Sequence, residues 1–317
     1  MTYNFCTIFN RNYLYKGLTL YYSIIKHCSN FKLWILCLDD TTFTTLRKMN
    51  LTNIELVTLN KIEDEKLLSV KRGRNTGEYS WTCKPVFLLF ILKNYPDIEI
   101  ITYLDADLFF FSSPEPIYKE LSNNSIMITS HRFPPEKKYR EKTKGKYNAG
   151  LIIFKNNQTT KDCLELWKKK CLEWCFHRYE EGKLGDQMYL EEWSKLFPGI
   201  HDIKQIGVNL GPWSLSQYNV KIKNNQIFIN DEPLILFHFH SSKIISFSKF
   251  EPSEDYFNLP TRFKKSIYTP YFGELKKVME KIKIIDNNFH YGFSQQLDFI
   301  KKIKQILKNL RQKIPIN

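Results

Sequence analysis

Residues 100–111 read IITYLDADLFFF, and the reading of this stretch decides the fold. An apolar run rich in β-branched and aromatic residues, unbroken by polar alternation, is a strand buried on both faces. It ends on Asp105 and Asp107, and a second strongly apolar run follows at once. Two carboxylates one residue apart point to the same side of an extended chain. Holding them together against an apolar strand is costly unless something cationic neutralises them. A hard divalent ion suits oxygen ligands, so Mg²⁺ or Mn²⁺ is the natural partner. Such an ion bridges to a diphosphate and stabilises charge on a leaving group. The competing reading is a solvated turn, where Asp is common. The apolar runs on both sides favour a loop that is held.

Working outward, the first half alternates short apolar runs with helical patterns. Strands are expected at residues 3–9, 32–38, 54–59 and 98–104, and helices at 15–27, from about 41, and at 81–94. Strands alternating with helices predict βαβ units and a largely parallel sheet with both faces covered. The right-handed crossover rule makes this a Rossmann-like α/β fold, with ligands beyond the carboxyl ends of the strands. After Asp107 further strands are expected at 125–129 and 148–154. Helices follow at about 161–177 and from near Asp186. Residues 219–230, NVKIKNNQIFIN, alternate on either side of two Asn and read as a hairpin. The run PLILFHFHS at 233–241 gives a last strand, and from about Ser246 the chain is expected to turn helical and basic.

The 317 residues are 43% apolar and 25% charged, the balance of a folded globular chain, which excludes a mainly disordered one. The net charge of +14 points first to a polyanionic partner. Its distribution changes that. Residues 1–260 hold 34 basic and 29 acidic side chains, whereas residues 261–317 hold 13 and 4. The body is only mildly basic, no helix-turn-helix, zinc or RNP-like pattern is present, and no nucleic-acid partner is expected. The N-terminus shows no basic segment followed by an apolar one, and the longest apolar run spans only residues 86–92. A cytoplasmic protein is expected. Cys6 and Cys37 lie in strand-like runs. Cys163, Cys171, Cys175 and His177 cluster in one helical stretch but lack the paired short spacings of zinc motifs, so buried thiols are the simpler reading.

Four segments together resemble a known family. YLDADLFFF at 103–111 resembles the Asp-x-Asp motif of GT-A glycosyltransferases. KYNAGLIIF at 146–154, LGDQMYL at 184–190 and LFHFHS at 236–241 are similar, in the same order, to the Asn-Ala-Gly, Asp-Gln and late His segments of family 8. The resemblance covers roughly residues 3–245. It implies a GT-A nucleotide-diphospho-sugar transferase fold, with a catalytic domain at 1–245 and a basic helical extension at 246–317. It implies transfer of a hexose or N-acetylhexosamine from a UDP-sugar to a glycan or lipid-linked acceptor, with retention of anomeric configuration. Asp105, Asp107 and His238 are then the ligands of Mn²⁺ or Mg²⁺, with His240 as substitute. Asp186 and Gln187 stand at the reacting sugar. Thr7, Phe9, Asn10, Lys84, Asp105, Ala106, Asn148, Ala149, Gly150 and Lys243 line the donor site.

Each residue has a physical reading beside the resemblance. Asn148 donates and accepts toward sugar hydroxyls, and Gly150 lets backbone approach a ligand closely. Lys84 offers a point charge to a phosphate. Asp186 after Gly185 is equally a helix cap. The family pattern departs at HFHSSKI, where Ser241 replaces Gly, Lys243 comes one residue early and Pro-Trp is missing. The usual acid near the end of the first strand is also absent, with Asn10 in that region.

Three features lie outside these motifs. Trp213, in GVNLGPWSL, is a candidate for stacking on an acceptor sugar or for a loop anchor. Residues 134–146, PPEKKYREKTKGK, read as a basic, mobile loop before the Asn-Ala-Gly strand. From Phe293 apolar residues recur at steps of three and four up to Ile314, with Lys301, Lys302, Lys304, Lys308, Arg311 and Lys313 around them. That pattern suits a helix on an anionic membrane surface, or one packed on the body or on a second subunit.

Overall fold

The computed structural model describes residues 2–224, 226–253, 255–256, 259 and 261–294. In chain order the strands are β1 (Tyr3–Phe9), β2 (Phe31–Cys37), β3 (Ile54–Thr58), β4 (Ile100–Leu104), β5 (Leu108–Phe110), β6 (Ile126–Ser130) and β7 (Tyr147–Lys155). They continue with β8 (Ile200–Asp202), β9 (Val220–Lys223), β10 (Gln226–Ile229), β11 (Glu232–Pro233), β12 (Leu236–His238), β13 (Lys243–Ser246) and β14 (Lys249–Glu251). The helices are α1 (Leu14–His27), α2 (Asp40–Met49), α3 (Glu65–Lys71), α4 (Thr76–Asn94), α5 (Glu115–Leu121), α6 (Glu141–Lys144) and α7 (Gln158–Glu173). After them come α8 (Trp193–Leu196), α9 (Thr261–Phe263) and α10 (Thr269–Ile285).

Seven strands form the central sheet in the order β3-β2-β1-β4-β7-β6-β8. β3, β2, β1 and β4 are mutually parallel, as are β6 and β8. β7 alone runs against its neighbours β4 and β6. The period-2 alternation of the strands sorts their side chains into two cores, one on each face. Phe5 and Phe9 of β1 join Leu33 and Ile35 of β2 beneath α1 and α10. Cys6 and Ile8 join Trp34 and Leu36 beneath α4 and α7. This is the expected doubly covered α/β sheet.

The small sheet β5–β12 does the positioning. β5 leaves the central sheet directly after the Asp-Ala-Asp turn and pairs antiparallel with β12, setting His238 opposite Leu108. The hairpin expected at 219–230 is β9–β10, with Gln226 opposite Lys223.

Several expectations are corrected. The chain beyond Ser246 does not lose strand character at once, since β13 and β14 pair across it. Described residues on both sides of the expected boundary at 245 share one core. Tyr271, Leu275, Val278, Met279 and Ile282 of α10 belong to the same core as α1. The Tyr271 ring stacks on Phe239 at 3.7 Å and 5°. Residues 134–146 form a helical turn at Pro135–Arg140 and then α6. Lys137 and Arg140 each reach an Asp255 carboxylate oxygen at 3.0 Å, which straps the segment down. The seven cysteines are buried and form no disulfide. Among the described residues no helix is long and apolar enough to cross a membrane. The expected helix from Phe293 falls outside the described residues beyond Ser294.

Candidate active site

The site gathers where β1, β4 and β7 meet the β5–β12 pair. β4 ends on Leu104, and the Asp105 N–H donates to the Gly150 carbonyl at 2.8 Å, so the turn is still bonded to β7. The Leu108 N–H then closes the turn onto the Asp105 carbonyl at 3.1 Å. The Phe239 N–H donates to the Asp107 carbonyl and the His238 N–H to the Leu210 carbonyl, at 2.9 and 2.7 Å. Backbone therefore holds both acids and the histidine before any side chain is considered.

Asp107, His238 and His240 present ligand atoms that all lie within 4.8 Å of one another. His238 Nε2 stands 3.0 Å from Asp107 Oδ1 and 3.9 Å from Asp105 Oδ2. One carboxylate and two imidazoles form a mixed oxygen and nitrogen set that suits a first-row divalent ion such as Mn²⁺, and the described residues form no other such cluster. Burial pulls the Asp107 carboxyl upward, but His238 beside it wins and holds it well below the usual carboxylate range. The protein crowding His240 lowers it to about 4, with His238 adding to the effect. Asp107 is thus charged and His240 neutral near pH 7, the states a metal needs. The His238 ring is fixed by packing. Its Nδ1 is buried without a hydrogen-bond partner, and Trp213 meets the ring edge-on at 5.5 Å.

Gly150 has a specific reason. A Cβ there would sit 2.7 Å from His238 Cε1 and 2.8 Å from its Nδ1. The close approach expected of this glycine is made by the His238 ring.

A second layer lies beneath. Lys84 is 2% exposed, and its Nζ bonds Asp105 Oδ1 at 3.1 Å and Asp186 Oδ2 at 2.9 Å. It also donates to the Ala149 carbonyl at 3.3 Å and lies 4.7 Å from the centre of the Tyr103 ring. Burial works against its charge, yet Asp105 and Asp186 hold the ammonium above its ordinary range. The Tyr103 hydroxyl donates to Asp105 Oδ1 at 2.8 Å. Lys84, a phosphate candidate by sequence, is here the counter-ion that joins two carboxylates from distant segments. Asp186 does not cap a helix. The following helical turn spans Met188–Glu192, and the Asp186 carboxylate turns to Lys84.

Asn148 sits in a polar chain. Its amide donates to Gln187 Oε1 at 3.1 Å and meets His131 Nε2 at 3.4 Å. Its Oδ1 accepts from the Gly150 N–H at 2.9 Å and from the Asn209 amide at 3.0 Å. Gln187 Oε1 also accepts from the Ala149 N–H, and its amide donates to the Lys144 carbonyl, at 3.3 and 2.7 Å. The structure therefore brings Lys84, Asp105, Asp107, Asn148, Ala149, Gly150, Asp186, Gln187, His238 and His240 together. Ala106 is buried in the turn between the two acids.

The remaining residues stand as follows. Thr7 and Phe9, at the carboxyl end of β1, are 0% and 2% exposed. Asn10 accepts from the Asn12 N–H at 3.1 Å and opens the turn Arg11–Tyr13. Lys243 begins β13 after a turn in which Ser241 has φ 60°. Trp213 is 6% exposed and donates through Nε1 to the His131 carbonyl at 2.8 Å. It is a loop anchor behind the histidines, not an exposed platform for an acceptor. Sequence reasoning missed His131 and Asn209. His131 follows the carboxyl end of β6, the same position relative to its strand that made Asp105 informative.

Residues 5–195 match the model of glycosyl transferase family 8. The chain belongs to that family. It is also similar along almost its whole length to two Bacillus subtilis (strain 168) proteins. YfnF, described as uncharacterized, is 34% identical over 307 residues, covering 94% of this chain and 99% of YfnF. YfnD, likewise uncharacterized, is 32% identical over 295 residues, covering 92% and 94%. Among solved structures, galactosyltransferase LgtC in complex with donor and acceptor sugar analogs superposes with a TM-score of 0.56 at 13% identity, over 86% of this chain and 95% of that one. The apo glycosyltransferase GlyE of Streptococcus pneumoniae TIGR4 gives 0.51 at 13%, over 89% and 64%. At such identity the likeness establishes the GT-A fold. Family and fold together make this family 8 member a glycosyltransferase.

Proposed function

We propose that this family 8 member is a metal-dependent transferase. It moves a hexose or N-acetylhexosamine from a UDP-sugar to a glycan or lipid-linked saccharide, with retention. The observation that carries the reading is the convergence of Asp107, His238 and His240 within 4.8 Å, beside an Asp105–Lys84–Asp186 chain. Asp105, Asp107 and the two histidines would hold Mn²⁺ or Mg²⁺, which supplies Lewis-acid neutralisation of the departing diphosphate. Lys84 holds Asp186 in one orientation, so its carboxylate serves as a fixed acceptor for sugar hydroxyls. Gln187 and Asn148, tied to each other, present a second polar edge to the same sugar. By its sequence the basic tail suits an anionic membrane surface near a lipid-linked acceptor.

The test is thermal stability across a panel of nucleotide-sugars with and without Mn²⁺. A ligand that binds only the folded chain raises the melting temperature by mass action. A UDP-sugar should do so only when metal is present. Asp107→Ala should remove that response and reduce metal-dependent donor hydrolysis by about 100-fold or more, the scale of losing an electrostatic contact to the leaving group. Undiminished hydrolysis by a folded Asp107→Ala protein would sink the reading.

A further inference from the structure

Lys16 lies in the first turn of α1 and is 7% exposed. Among the described residues it has no ion pair and no hydrogen bond. Its described neighbour is the Tyr13 ring, whose centre lies 4.5 Å from Nζ. A buried, unpaired ammonium is costly to keep and needs a reason.

Its position follows from the packing of α1 on β5. The Ser23 hydroxyl accepts the Phe110 N–H at 3.0 Å, which pins the helix to the strand. Lys16 precedes Ser23 by seven residues, two turns on the same helix face and about 10 Å along the axis. Asp107 precedes Phe110 by three residues, also about 10 Å along an extended chain. Helix and strand run the same way here, since the Asp107 charge acts on both Tyr13 and Lys16 at the start of α1, so the matching spacings put Lys16 at the Asp107 end of β5. In keeping with this, burial lowers the Lys16 ammonium while Asp107 opposes that lowering. Lys16 in turn adds to the lowering of His240.

The other cations near the cleft differ. Lys84 is committed to Asp105, Asp186 and the Ala149 carbonyl. Lys243 lies beyond the Ser241 turn on β13. We propose that Lys16 is the side chain that receives the diphosphate of the nucleotide donor, its charge kept unpaired for that anion. The inference rests on the UDP-sugar reading and adds to it a residue from the helix after the first strand. With a metal bound, Asp107 would be engaged by the ion, and the Lys16 ammonium would be free to meet phosphate oxygens.

The test is calorimetric titration of the full chain and its Lys16→Met and Lys16→Gln variants with UDP and with uridine, in Mn²⁺. Met preserves the buried stem without the charge. UDP binding should weaken about tenfold or more, as for loss of a charged hydrogen bond, while uridine binding changes less. Unchanged UDP affinity in either folded variant overturns the proposal. So do equal losses for UDP and uridine, and so does failure of both variants to fold, which would make Lys16 a folding residue. A wild-type chain that binds neither ligand sinks the UDP-sugar reading instead, so the two failures are distinct.

Discussion

Gly150 and His238 show how a site residue acquires its role. A side chain is excluded there because an imidazole from a segment 88 positions away, together with the Asn148 side-chain oxygen, lies against its backbone. Gly150→Ala should therefore displace His238 at a cost of about 1–3 kcal/mol, the range of overpacking. It should also abolish Mn²⁺-dependent stabilisation by UDP-sugars while the fold survives. An unaltered metal response in that variant would contradict the packing argument. His131 carries a pH prediction. Burial pushes it down to about 3, against about 6.5 when unfolded. Between those values the unfolded chain takes up a proton that the folded chain refuses. The stabilisation is complete above about pH 6.5 and falls by at most roughly 1.4 kcal/mol per pH unit on acidification toward pH 3. Melting temperatures across pH 7 to about 4 should fall less steeply for His131→Gln than for wild type. At this scale the sequence disclosed the residue types and not their partners. Lys84 was legible as a charge near the site, but its pairing with Asp105 and Asp186 joins three segments that no local pattern connects. Trp213 was legible as either platform or anchor, and only burial chooses between them.

The elements that deliver these residues have local causes that the sequence carries openly. β4 and its Asp-Ala-Asp turn are one apolar run and its end. α4 begins five residues earlier than its apolar pattern suggests, because Asn75 and Glu78 form a capping box. The Asn75 side chain accepts the Glu78 N–H at 3.0 Å, and Glu78 Oε2 accepts the Asn75 N–H at 2.9 Å. Hydrophobic periodicity does not register such polar first turns. Because α4 carries Lys84, Asn75→Ala should lower stability by about 1 kcal/mol in chemical denaturation, with the midpoint shifted and the slope unchanged. β7 was legible as a strand, but not its direction. It runs antiparallel to β4, and that reversal brings Asn148 and Gly150, near its start, to the carboxyl end of β4. Strand composition is blind to direction, which the path of the connections decides.

For the whole molecule, the chain past 245 is the part that sequence read least well. α10 was expected within a basic extension, since its Lys residues dominate the composition. Its apolar stripe instead completes the core over α1, and the Tyr271 ring lies flat on Phe239 in the segment that carries His238 and His240. A chain ended at residue 245 should thus lose cooperative thermal unfolding and near-ultraviolet dichroism, because that face of the core would be opened to water. A sharp transition at the wild-type temperature would show instead that α10 is dispensable. By itself the sequence determined the α/β class, the family, and the strand ends where chemistry is done, because buried strands and paired acids leave local patterns. Only the tertiary structure decided which histidine faces which acid, what Lys84 neutralises, that Lys16 is buried without an ion pair among the described residues, and that α10 packs in the core over α1. Those are contacts between segments far apart in the chain, and their energies depend on burial and distance, which no linear spacing encodes.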